Sequence, residues 1–406
     1  MVKKLLLQSN RRAVLDFIRN HEDVTISEIA RSICISIPTA KKILEEFIIK
    51  NIVREVGKGH STSEGGKKPL LYRMNDEYGY VIALHVGPDF IYAIALDVRM
   101  RIIDSYHEQL TESHTDHQIV TKLVHIASHF IASAWAEERI LLNVVIALPG
   151  IADSSRGTSI YSPHYPQWQE DFPFVVEFTN RFNRRIPVYI DCVNRLQAVG
   201  EAVLGKGQHI DNFIIVDAME EGVGAGIISD GIVTHGFNHL AGEIGHNIVD
   251  PNGPRCICGG IGCFEAMVSV KHIQHMMKQG RTTHPDSKLY KQKSDSGTHL
   301  GNLFSCAKEG DPFAIMLMDT LAEWFARGLN SIVLAIDPKL IIIQGIFVDA
   351  GVRFLKTVEK KLSELSLARV KRDLTIVYSD FSIERGALGA GCFGMIRFFE
   401  DEGIYE

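Results

Sequence analysis

Three thiols and one imidazole lie within eighteen residues of this 406-residue chain: His246, Cys256, Cys258 and Cys263. The stretch reads Ala241-Gly-Glu-Ile-Gly-His246, then Asn-Ile-Val-Asp-Pro-Asn-Gly-Pro-Arg, then Cys256-Ile-Cys-Gly-Gly-Ile-Gly-Cys263-Phe-Glu265. Zinc favours four soft or borderline ligands in a tetrahedron, and a closed Cys₃His set is a structural site. Glycines and prolines between the ligands let a short loop fold back on a small ion without side-chain clashes. The spacing therefore predicts a structural Zn(2+) that fixes residues 246–263. Around it, Glu243 lies three residues before His246 and Glu265 two residues after Cys263. A metal-bound histidine keeps a second ring nitrogen for a hydrogen bond. Two carboxylates beside it make an acceptor-rich pocket suited to a polyhydroxylated molecule, or else they simply support the metal.

The seven cysteines, three of them assigned to zinc, fit a reducing cytosol better than a disulfide framework. Cys34, Cys306 and Cys392 sit among apolar residues and read as core. No apolar run approaches the ~20 residues needed to span a membrane, and the start lacks a full signal-peptide apolar region. These features predict a cytoplasmic protein without membrane insertion. Charge is unevenly spread. Residues 1–75 carry fourteen Lys+Arg against eight Asp+Glu, a net of +6, so the remainder carries 29 against 41, a net of −12. A basic head on an acidic body points to a polyanionic partner for the head.

Within the head, Ala13, Val14, Phe17 and Ile18 recur at helical spacing over Arg12–Asn20. Thr25-Ile-Ser-Glu28 reads as a capping box opening a second helix with Ile29 and Ala30 inward. Ser36 caps a third, with Pro38 tolerated in its first turn. There Ala40, Ile43, Leu44, Phe47 and Ile48 form the inward stripe, leaving Thr39, Lys41, Lys42 and Glu45 outside. Ile52–Val56 and Leu70–Met74 form a two-stranded wing around a glycine- and lysine-rich tip. Together these predict a winged helix-turn-helix for double-stranded DNA over 1–75. Ser36, Thr39, Lys41 and Lys42 would face the major groove, and Lys58, Lys67 and Lys68 would meet phosphates or a minor groove.

From Tyr80 the pattern changes to short strands, at 81–86, 90–96 and 101–106, then a helix over 116–137 and a strand at 144–148. Residues 280–300 read as a surface insertion. Strands followed by alternating helices and strands suggest an α/β fold of the actin-like, hexokinase-like (ribonuclease H-like) ATPase kind. The zinc stretch and its two glutamates resemble the ROK family of repressors, open reading frames and sugar kinases, whose signature has Gly-Glu-x-Gly-His and then Cys-x-Cys-Gly-x₂-Gly-Cys-x-Glu. The resemblance implies two lobes around a cleft, taken here as 76–200 and 201–406. The winged head resembles that of the family's repressors.

The kinase motifs that the resemblance would supply are altered. Asp-x-Gly-Gly-Thr reads His85-Val-Gly-Pro-Asp89, where proline removes a donor and Asp89 adds negative charge at the phosphate position. Gly-Thr-Gly-x-Gly reads Glu220-Glu221-Gly222-Val-Gly224, with Gly226 beyond it. Asn-Asp-x-Asn reads Asp191-Cys192-Val193-Asn194, so Cys192 stands at the catalytic base position unless the register slips by one residue. The adenosine-side Gly-Gly-Gly reads Gln344-Gly345-Ile346, and the loop Pro-Asn-Leu-Pro-x-Trp reads Pro163-His-Tyr165-Pro-Gln-Trp168. These departures together argue against an enzyme. The resemblance implies sugar contacts at Glu243, His246 and Glu265, with Asp191 and Asn194 on a rebuilt wall.

The expected protein is a DNA-binding transcriptional regulator, by family habit a repressor of carbohydrate-use genes, responding to a sugar or sugar phosphate. A homodimer or dimer of dimers would set two recognition helices ~34 Å apart on a two-fold operator. The rivals are an ATP-dependent sugar kinase with an accessory head, and a regulator governed by a protein partner with a vestigial pocket.

Overall fold

A computed structural model describes residues 2–59, 68–220, 222–291, 299–365 and 373–401. The chain divides into two compact units: residues 1–191 with 390–406, and 192–389.

The first unit opens with α1 (Val2–Asn20), α2 (Ile26–Ser32) and α3 (Ile37–Ile49), then antiparallel β1 (Val53–Lys58) and β2 (Leu70–Met74). This is the winged helix-turn-helix expected from the caps. Thr25 and Glu28 form the full capping box, and Ser36 accepts from the Thr39 N–H at 3.2 Å. Bonds from Thr25 hold the Glu28 carboxyl below its usual range. Because that pKa is lowered, the stabilisation is present above the carboxyl's unfolded value and is lost as pH falls through the folded one. Thr25→Ala should lower the head's stability by about 1 kcal/mol. Amide hydrogen exchange of α2 checks this, and unchanged protection there would contradict the assignment.

Several expectations need correction. The first helix begins at Val2, ten residues before the expected Arg12. Ile48 is exposed, because the helix face turns away from the core after Phe47. Cys34 is exposed rather than buried: it occupies the left-handed region (φ 57°) in the turn between α2 and α3, which points its thiol outward. Cys306 and Cys392 are buried as expected. Lys67 and most of the wing tip (60–67) lie outside the described residues, as do Glu221 and 292–298 of the expected insertion.

The head docks on the body through the turn between β4 (Phe90–Asp97) and β5 (Ile102–Gln109), which follow β3 (Gly79–Val86). Arg99 in that turn donates to the His21 carbonyl at 2.5 Å and pairs with Glu22 at 3.6 Å. Next come α4 (Asp116–Ile131), β6 (Ile140–Leu148), β7 (Ile151–Asp153), β8 (Thr158–Tyr161), α5 (Phe174–Phe182) and β9 (Val188–Cys192). Helix α4 stops six residues short of the expected 137, where Ala132 caps it, and a separate turn covers Ala134–Ala136.

The second unit begins with α6 (Val193–Leu204), β10 (Phe213–Met219), β11 (Gly222–Ser229) and β12 (Ile232–Val233). It continues through α7 (Phe264–Val268), α8 (Val270–Gly280), α9 (His299–Lys308), α10 (Pro312–Ile336), β13 (Leu340–Gly345), α11 (Gly351–Glu364) and β14 (Thr375–Tyr378). Helix α12 (Arg385–Asp401) starts in this unit and ends in the first. Each unit has one five-stranded sheet with the same topology, β5-β4-β3-β6-β9 and β12-β11-β10-β13-β14. In each, three antiparallel strands come first and the fourth pairs parallel with the first of them. This repeated plan is that of the actin-like ATPase fold. Among the described residues no helix is long and apolar enough to cross a membrane.

Candidate functional site

The Cys/His stretch folds as a pinned double hairpin. Bridges pair Ile248 with Cys263 and Arg255 with Ile261. Gly262 must be glycine: its φ is +68° and a Cβ would stand 1.4 Å from the Asp250 carbonyl oxygen. These turns bring His246, Cys256, Cys258 and Cys263 together with all ligand atoms within 4.8 Å of one another. A tetrahedron with ~2.3 Å metal–sulfur and ~2.05 Å metal–nitrogen bonds has edges of about 3.8 Å between sulfurs and about 3.6 Å from sulfur to nitrogen. Cys258 Sγ and Cys263 Sγ are 3.7 Å apart, and Cys256 Sγ lies 3.7 Å from His246 Nδ1. The cluster thus has the size and donor set to hold a metal ion. Burial pushes the Cys256 thiol up to about 12 and raises Cys263, whereas the Gly260 backbone holds Cys258 below the usual thiol range. A metal would bind by displacing those protons.

With Nδ1 turned to the sulfurs, His246 Nε2 points the other way, 3.9 Å from the Glu243 carboxylate. Burial raises the Glu243 carboxyl, and Glu265 adds to the rise, against the pull of His246 and Arg195. Glu265 is more committed: one oxygen accepts from the Val223 N–H at 3.0 Å and the other lies 3.7 Å from Cys256 Sγ. Glu243, His246 and Glu265 therefore share one locality. Asn194 stands in the first turn of α6, packed so closely on β11 that a Cβ on Gly224 would lie 1.8 Å from its Nδ2. Asp191 is buried near the end of β9 in the first unit. Cys192 is the residue that caps α6, and its side chain makes no cap hydrogen bond.

The phosphate-loop equivalents have internal work. Gly87 closes the β3–β4 hairpin, and its carbonyl accepts from the Tyr165 hydroxyl at 2.7 Å. Asp89 accepts from the Gln109 side chain at 2.7 Å. Gly224 and Gly226 lie within strand β11, where their lack of a side chain lets α6 approach; a Cβ on Gly226 would be 2.1 Å from the Asn194 carbonyl oxygen. The surviving glycines are thus accounted for by helix–strand contact. Gln344 is fully buried and donates to Glu201 at 3.0 Å.

On the head, Ser36 and Thr39 spend part of their capacity on each other, with their hydroxyls 2.8 Å apart. Lys41 reaches Glu45 at 3.7 Å, both well exposed, and Lys42 and Lys68 are exposed. Sequence reasoning missed Arg195, which is 2% exposed and donates to the His239 carbonyl at 3.2 Å. Arg195 is one of three polar residues, with Gln197 and Glu201, that α6 buries, and their spacing of two and four residues was the available signal. It also missed Tyr165, whose phenol is raised far above its usual range by burial.

The pattern defining the ROK family matches residues 81–393. A xylose repressor of Caldicellulosiruptor bescii is 25% identical over 392 residues, which cover 97% of this chain and 96% of that protein. A glucokinase of Thermotoga maritima is 28% identical over 248 residues, 61% of this chain and 77% of the glucokinase. The crystal structure of a ROK family transcriptional regulator, described as a homolog of the Escherichia coli MLC protein, superposes with a TM-score of 0.80 over 98% of this chain and 99% of that one. At 22% identity, that likeness speaks for the fold.

Proposed function

The chain belongs to the ROK family, and from that membership we propose that it is a DNA-binding transcriptional regulator, a repressor of carbohydrate-use genes. The observation that carries this reading is the basic winged head continuous with the ROK body, matched along nearly its whole length by a repressor. The glucokinase likeness covers much less of this chain. Ser36, Thr39, Lys41 and Lys42 at the start of α3 would read or position on a major groove, and Lys67 and Lys68 would add phosphate contacts. The domain division is taken as a DNA-binding head over 1–75 followed by two ROK lobes, 76–200 and 201–406, in a cytoplasmic homodimer or dimer of dimers.

Zinc is the proposed ion of the Cys₃His cluster, in a structural role: bound there, it cross-links the hairpins that carry Glu243 and Glu265. His246 would then serve twice, ligating through Nδ1 and presenting Nε2–H beside Glu243. A sugar or sugar phosphate is the proposed effector, held by Glu243, His246 and Glu265 with Asp191 and Asn194. An effector acts only if it binds two conformational states with different affinity.

Kinase chemistry is not part of this reading. At the first phosphate-loop equivalent Pro88 offers no N–H and Asp89 adds negative charge, and Gln344 fills the position where the family's kinases keep glycine. An altered phosphate loop and a cysteine at the base position do not serve phosphoryl transfer.

Incubating the full-length protein with sheared genomic DNA and sequencing what it retains tests the proposal. Enrichment of a two-fold-related sequence supports it. Absence of enrichment together with sugar-dependent ADP release would replace it with the kinase reading. On the recovered sequence, Lys42→Ala should weaken binding and flatten the dependence of log affinity on log salt by roughly one phosphate contact. A panel of hexoses, pentoses, amino sugars and sugar phosphates in a melting assay would find the effector. Glu243→Ala should remove that shift while leaving zinc content unchanged; a retained shift would move the pocket elsewhere.

A further inference from the structure

A closed set of polar side chains lies inside the second unit, where β10 and β13 end. Asp217 and Gln344 are register partners on those parallel strands. Gln197 and Glu201 face them from α6, one turn apart. Gln197 Nε2 donates to Asp217 at 2.8 Å, and Gln344 Nε2 donates to Glu201 at 3.0 Å. Ser379 donates to Glu201 at 2.5 Å, and Arg385 donates to Asp217 at 3.2 Å.

Two properties of this set are not balanced internally. Gln197 Oε1 and Gln344 Oε1 are buried and take no hydrogen bond from any described residue, although their residues are only 1% and 0% exposed. Their orientation is not open to exchange, because turning either amide would set its oxygen against a carboxylate oxygen. Charge is also short. With both carboxylates ionised, two negative charges face the single guanidinium of Arg385. Lys206 gives Glu201 only its backbone N–H, at 2.8 Å, and its ammonium pairs with Asp380 at 2.5 Å. Buried charge without a partner and buried acceptors without donors are both unfavourable.

We propose that this set binds a buried alkali-metal cation, of the potassium or sodium class, shared by the Gln197 and Gln344 amide oxygens and the Asp217 and Glu201 carboxylates. Neutral amide oxygens with carboxylates form a hard, all-oxygen donor set. A single positive charge balances the set, whereas a divalent ion would overshoot it and demand more carboxylate or water ligands. The cation ties α6 to the ends of β10 and β13. Because α6 begins at Val193 and carries Asn194 and Arg195, its anchoring bears on the ligand locality. The inference rests on this geometry and stands apart from the regulatory reading.

The test is a set of melting curves of the zinc-loaded full-length protein in potassium, sodium and choline chloride at equal ionic strength. The expected result is a saturable rise of roughly 3 °C or more with an alkali cation over choline, absent in Gln197→Leu. Should Gln197→Leu fail to fold, thallium(I) replaces the variant: on the wild-type protein it should bind in competition with potassium, and give an anomalous peak in crystals between Gln197 and Gln344. Identical melting in all three salts would overturn the proposal, since water would then satisfy the oxygens. So would a cation response retained in Gln197→Leu, or thallium found elsewhere.

Discussion

Cys263→Ser is expected to abolish stoichiometric zinc and to lower the melting temperature of the second unit by roughly 10 °C or more. In zinc-finger peptides the ion contributes an apparent ~10–16 kcal/mol, because the unfolded chain has no preformed site. Only part of that reaches a unit with its own apolar core, and the hairpin must first come undone. Yet Cys263 joins both: its sulfur belongs to the cluster, and its backbone bridges Ile248 and opens α7, whose Phe264 is fully buried in the core. Losing the ligand therefore loosens the hairpin and the start of α7 together. Cys306→Ser is the control, also a buried cysteine but in α9 and outside the cluster. It should melt lower through its buried hydroxyl while keeping one equivalent of metal. Full zinc content and unaltered melting in Cys263→Ser would remove the metal from this account.

What the sequence disclosed and what it hid follow one physical division. The gathering of the Cys/His cluster and the helices of the head were legible because their determinants are local. The four ligands fall in one short stretch, and the caps at Thr25 and Ser36 act within three residues of themselves. The errors in the head come from geometry that periodicity does not carry. Cys34 sits where the turn needs a left-handed residue, and Ile48 lies at the edge of a stripe that was read one residue too wide. The glycines of β11 were read as remnants of a phosphate loop because their spacing survives. Their contact partner, Asn194 on α6, is about thirty residues away in sequence, and only the fold shows it filling that space. The same distance concealed the Tyr165–Gly87 bond, which spans 78 residues. Nor does any pattern in α12 announce that it leaves the second unit and ends in the first.

Arg385→Met should be the most damaging single change outside the Cys/His cluster, costing about 3–5 kcal/mol, because it leaves the Asp217 carboxylate buried without its guanidinium partner. For a unit near 200 residues this corresponds to a melting point lower by roughly 6–20 °C. The two residues are 168 positions apart, and each is almost fully shielded, with side chains 12% and 7% exposed. The loss is not that of an ion pair as such. Replacing both partners, as in Arg385→Met with Asp217→Leu, removes the stranded charge along with its partner and should regain much of the difference. Additive losses in the double variant would mean that Asp217 is supported chiefly by Gln197, and that the guanidinium matters for packing alone. If the cation site exists, the single variant makes it more negative, so its melting point should depend more steeply on potassium than that of the parent. The double variant loses one carboxylate and one guanidinium together, so its set keeps the parent's net charge and its salt dependence should fall back towards that of the parent. The two substitutions thus separate the cost of a buried charge from the identity of what neutralises it.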